Sequence, residues 1–97
     1  MAPGPCTLSD GDLRAQLDRY RAIGSGGEGR WINATSVELV VGAGVPDGLV
    51  EQTVATEQSC CPFFELLWEP GSRRLAVSVS RAEDVSALDV IARALNI

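Results

Sequence analysis

Apolar residues along this chain recur at helical spacing in three stretches and alternate in strand fashion in four. Leu13, Leu17 and Tyr20 lead at such spacing to Ile23, with Ser9 and Asp12 ahead of them as a helix start, which predicts a helix over residues 10–22. The run Gly24, Ser25, Gly26, Gly27, Glu28, Gly29 then ends it, and its glycine content predicts a flexible loop over residues 24–29. Residues 30–33 and 37–41 are β-type runs separated by Asn33, Thr35 and Ser36 and closed by Gly42 and Gly44, so two short antiparallel strands are expected. Pro46 and Asp47 sit where a helix start wants them, and Leu49, Val50 and Val54 give the apolar side of a second helix over residues 49–59.

Pro62 cannot continue that helix and disfavours helical backbone at Cys61, so the chain must turn extended there. Residues 63–69 and 74–80 then read as a hairpin about the turn formers Pro70, Gly71 and Ser72. Leu75, Val77 and Val79 alternate with Ala76, Ser78 and Ser80, which gives one buried face and one small, polar face; Phe64, Leu66 and Trp68 likewise share a side. Ser80 and Glu83 match a capping box ahead of a third helix striped by Val85, Leu88, Ile91, Ala92 and Leu95. The order is α-β-β-α-β-β-α. It predicts an α+β fold, a four-stranded mostly antiparallel sheet with helices on one face, with the sheet order left open.

Length changes this picture little. A chain of 97 residues, 45% apolar, is one domain over residues 1–97 with a small core, to which a homodimer would add buried area. Pro3, Gly4 and Pro5 make residues 1–7 a mobile arm that carries Cys6. Charge narrows the partners: the formal net charge is −5, there is no lysine, and the arginines form no run, which argues against nucleic acid. No apolar run reaches the roughly 18–20 residues of a membrane helix, and the start lacks the features of a signal peptide. A cytoplasmic location is expected, and with it three reduced cysteines.

The chain has no histidine, so chemistry falls to thiols, carboxylates, hydroxyls and backbone. Cys60 and Cys61 are adjacent at the predicted end of the second helix. Neighbouring Cα atoms stand about 3.8 Å apart whereas an ordinary disulfide spans about 4.4–6.8 Å, so two thiols are expected there, not a bridge. On a helical projection with Leu49 at zero, the apolar face centres at roughly 75° and Glu57 falls at roughly 80°, with the two cysteines on either side. A carboxylate on an apolar face is a conflict of the kind functional sites carry. The alternative is a helix that ends near Thr56 and leaves Glu57 at a wet rim, where an arginine of the first helix could pair with it; Arg14, Arg19 and Arg21 otherwise form a solvated face.

Two neighbouring thiols present sulfur to one soft ion or to one thiol-reactive substrate, and Cys6 supplies a third. Three sulfurs without histidine suit Hg(II), As(III), Cu(I) or Cd(II) better than a four-coordinate structural zinc. The negative end of a helix, together with Glu57, opposes a free thiolate and favours thiols that ionise on binding.

Glu57, Cys60, Cys61, Pro62 and Phe63 form Glu-x-x-Cys-Cys-Pro-Phe, and Cys6, Thr7 and Leu8 precede a helix bearing Tyr20. In these motifs the chain resembles a family of small, largely uncharacterised bacterial proteins and appended domains. Similar modules occur near heavy-metal and metalloid resistance regulators, which implies soft-ion handling; the glycine loop departs from the family pattern. Three functional readings stand at this point. The first is a binding protein for a soft metal or metalloid ion, with Cys6, Cys60 and Cys61 as sulfur ligands and Glu57 beside them or as a fourth ligand. The second is a small thiol enzyme in which Glu57 moves the proton. The third is an interaction module whose cysteines only pack.

Overall fold

The computed structural model describes residues 10–60 and 63–97. Helix α1 spans Asp10–Gly24, strands β1 and β2 span Glu28–Asn33 and Ser36–Val40, and α2 spans Asp47–Cys60. Strands β3 (Phe64–Glu69) and β4 (Arg74–Val79) follow, then a single 3-10 turn, Ala82–Asp84, and α3, Val85–Ala94. The element order is the expected one. The expected N-terminal arm with Cys6, the helix start at Ser9, and the extended turn at Cys61 and Pro62 lie outside the described residues.

All strand pairs are antiparallel and the sheet order is β1-β2-β4-β3. Since β2 and β3 both run antiparallel to β4, they are parallel to each other with β4 between them. Helix α2 is therefore a crossover that carries the chain past the position of β4 to the far edge. Register puts Val37 opposite Val77 and Leu39 opposite Leu75, while Phe64, Leu66 and Trp68 face Val79, Val77 and Leu75. That single face is the buried one. Helix α2 packs on β3, α3 packs on β4, and α1 lies against both helices, so the core closes on one side of the sheet. The other face carries Glu38, Val40, Leu67 and Arg74 partly or largely in solvent. Among the described residues no helix is long and apolar enough to cross a membrane.

Three expectations change. The glycine stretch is not one loop: β1 begins at Glu28, and three of its glycines, Gly24, Gly27 and Gly29, stand at close approaches. A Cβ at Gly24 would overlap the Leu95 backbone carbonyl, and one at Gly29 would overlap the Ile97 side chain, so absence of a side chain lets α1 and β1 seat against the C-terminal end. The capping box at Ser80 is not the start of α3, because Arg81 is extended and precedes the 3-10 turn. Glu83 instead approaches the Arg81 guanidinium at 3.2 Å, and Asp84 meets it at 3.1 Å. Finally, α1 buries Gln16, Tyr20 and Ile23, whereas Leu13 is 42% exposed and Leu17 half-buried. The buried stripe is rotated from the leucine stripe that periodicity favours.

Arg73 ties the hairpin to the rest. It sits at φ 54, in left-handed backbone, and its guanidinium donates to the carbonyls of Val41 at 3.3 Å, Gly42 at 2.9 Å and Val45, and pairs with Asp47. The β3–β4 turn is thereby fastened to the connection that launches α2.

Candidate functional site

Helix α2 runs through residue 60, so the alternative in which it frays near Thr56 does not hold. Its inward face is Val50, Thr53 and Glu57, at the spacing of one helical stripe. Thr53 and Thr56 return their hydroxyls to the carbonyls of Leu49 and Gln52, which satisfies these polar side chains inside the helix. Glu57 is 4% exposed, on the last turns of α2, as the projection predicts.

Burying a carboxylate is tolerable when donors meet it. Two come from α1: the Tyr20 hydroxyl donates to Glu57 Oε1 at 2.7 Å, and Gln16 Nε2 reaches the same oxygen at 3.3 Å. Gln16 Nε2 also donates to the Thr53 carbonyl at 2.9 Å, which fixes its amide. Its Oε1 accepts from Arg19 at 2.7 Å, so a cation is linked to Glu57 through one amide. Arg14 lies exposed and Arg21 pairs with Asp18 at 2.7 Å, on the solvated side of α1. Burial pushes the Tyr20 hydroxyl far above its ordinary range, and the neighbouring Glu57 charge and the bond to it push the same way. Tyr20 is thus a fixed donor to Glu57.

A cleft of about 160 Å³ opens beside this cluster. Gln16, Tyr20 and Glu57 contribute its polar part, and Leu13, Leu17, Phe63, Phe64, Val90 and Ile91 supply most of its apolar wall. Phe63 and Phe64 touch with ring centroids 4.4 Å apart. Both rings belong to the segment that leads away from the cysteines.

Of the residues singled out from the sequence, Glu57 stands in the site just described and Cys60 closes α2, one helical turn further on. The Cys60 side chain, Cys61 and Cys6 lie outside the described residues. Among the described residues no three of Cys, Asp and Glu gather as a metal-binding group. Periodicity does not single out Gln16, and it marks Tyr20 as an apolar stripe position, matched also by the motif resemblance, without making it a donor to Glu57. The signal that finds them is the Gln16, Tyr20, Ile23 stripe itself, one polar and two amphipathic or apolar positions at helical spacing, once Glu57 is known to need donors. Comparisons with family models, with curated proteins and with solved structures find no match to this chain.

Proposed function

We propose that the protein binds a soft metal or metalloid ion of the Hg(II), As(III), Cu(I) or Cd(II) class. Cys60 and Cys61 are the sulfur ligands in this reading, Cys6 is the third, and Glu57 serves as a further ligand or takes up a thiol proton. The observation that carries it is the buried Glu57, held by Tyr20 and Gln16 on the helical turn that leads into the vicinal cysteines. A stability-minded design would place leucine there, because a buried carboxylate costs free energy that its two donors only partly return.

The end of α2 supports binding over free nucleophilicity. Its last turn carries no basic residue, so neither a guanidinium on that turn nor the helix dipole favours a standing thiolate. Thiols in that setting ionise when a thiophile arrives, and the protons leave on binding. Such a site belongs in a reducing compartment, which the cytoplasm provides. The resemblance of Glu57, Cys60, Cys61, Pro62 and Phe63 to modules found near metal and metalloid resistance regulators supports the same ligand class.

A second reading is favoured by the cleft that Glu57 lines. Here Cys60 or Cys61 attacks a substrate lying in it, and Glu57 accepts the thiol proton. Anaerobic titration of the reduced protein with each ion, followed by sulfur-to-metal absorption, separates the readings. Tight binding that is lost in Cys60→Ser and Cys61→Ser supports the first. Absence of tight binding by every ion refutes it, and selective covalent modification of one cysteine by a thiol-reactive substrate would favour the second.

A further inference from the structure

We propose that the cleft between α1, α2 and α3 receives the organic group of a substituted thiophile, an aryl or branched-alkyl arsenic(III) or mercury(II) species. This rests on the soft-ion reading of the cysteines and adds the rest of the ligand from the described residues. A hydrated bare ion has no use for the cleft's walls. Its volume, about 160 Å³, is close to the roughly 150 Å³ of an apolar cavity that takes up benzene. The walls are leucine, phenylalanine, valine and isoleucine, and the polar groups Gln16, Tyr20 and Glu57 sit together at one part of it. That division, an apolar body with a few convergent polar groups, is the layout of a small-molecule site.

Two features tie the cleft to the thiols and to a ligand. Glu57 and Phe63 both line it, and in sequence they bracket Cys60 and Cys61. At the rim Leu13 is 42% and Val90 50% exposed, large apolar side chains that the core does not cover and an organic substituent would. Binding is ligand exchange without redox change. Phenylarsine oxide and two thiols give two As–S bonds and one water, in which the oxo oxygen carries off both thiol protons. Arsenite, As(OH)₃, forms the same two bonds and releases one water per thiol.

The experiment measures dissociation constants of phenylarsine oxide and of arsenite for the reduced 97-residue chain and for Ala87→Phe, which fills the cleft from α3. Val90→Asp, at a half-exposed position, places charge at the rim and serves as the second variant; thermal melts show that each is folded. Both substitutions are expected to weaken phenylarsine oxide roughly tenfold or more, from the apolar area a phenyl ring would bury. Arsenite affinity is expected to stay within about twofold, since neither substitution removes a thiol or Glu57 and arsenite carries no organic group for the cleft to hold. Equal losses for the two compounds, or no loss for either, overturn the cleft assignment while leaving soft-ion binding intact. Failure of the parent protein to bind either compound overturns the soft-ion reading and the cleft assignment with it.

Discussion

Replacing Tyr20 by Phe removes one hydroxyl and nothing else from the core. The ring stays fully buried, so packing is conserved, and Glu57 keeps only the longer bond from Gln16 at 3.3 Å on the described oxygen. A hydrogen bond to a charged group contributes about 1.5–3 kcal/mol, and a carboxylate left short of donors adds its desolvation. Tyr20→Phe is therefore expected to lower stability by about 2 kcal/mol, which in a domain of this size is a fall in Tm of roughly 8–16 °C. Urea and thermal melts measure it directly. The companion variants decide the cause. Glu57→Leu removes the buried carboxylate, and combining it with Tyr20→Phe leaves neither partner stranded, so the double variant is expected to recover about 1–2 kcal/mol over Tyr20→Phe alone. A Tyr20→Phe protein within about 0.5 kcal/mol of the parent, with no coupling to position 57, would refute a buried Tyr20–Glu57 bond.

Tyr20 is the chain's sole tyrosine, so alkaline titration of phenolate absorbance reads this residue alone. Its raised folded-state value means that stability is intact below the unfolded tyrosine value near 10 and is lost above it, by about 1.4 kcal/mol per pH unit. Phenolate is expected only together with unfolding; its reversible appearance near pH 10 in protein with native circular dichroism would contradict the burial. Arg73→Ala removes three bonds to carbonyls and the pair with Asp47, for an expected loss of about 2–3 kcal/mol in chemical denaturation. Arg73→Gly loses the same bonds but relaxes left-handed backbone, and is expected to be more stable than the alanine variant by about 1 kcal/mol. Gly24→Ala sets a methyl against the Leu95 backbone, which no rotamer relieves, and is expected to cost about 3 kcal/mol in the same assay.

The chain's periodicity carried the fold where one face of an element is uniformly apolar. In β4, Leu75, Val77 and Val79 are buried and alternate with half-buried Ala76 and Ser78, and α3 buries Leu88, Ile91 and Ala92, with Leu95 buried just past its end, as the stripe predicts. Glu57 was legible for the same reason in reverse, since a helix that continues to Cys60 can only point it inward. Helix α1 was not, because two stripes compete on it. Leu13, Leu17 and Tyr20 win on hydropathy, yet Gln16, Tyr20 and Ile23 are buried, because the donors of Gln16 and Tyr20 meet an acid 37 or more residues away. A polar pair split between distant segments leaves no local pattern. The glycines misled for a related reason: at Gly24 and Gly29 they mark close approach of other segments, and composition alone cannot tell that from flexibility. Sheet order depends on β2 meeting β4, a contact with no signature in either strand.

The measurement that bears most directly on the site is the arsenite dissociation constant of Glu57→Leu beside that of the parent, with stability determined on the same samples. Glu57 as a member of the thiol site requires binding to weaken, by roughly tenfold or more, in a variant that the same samples show to be folded. Unaltered arsenite affinity in Glu57→Leu would contradict it and leave the carboxylate as a link between α1 and α2.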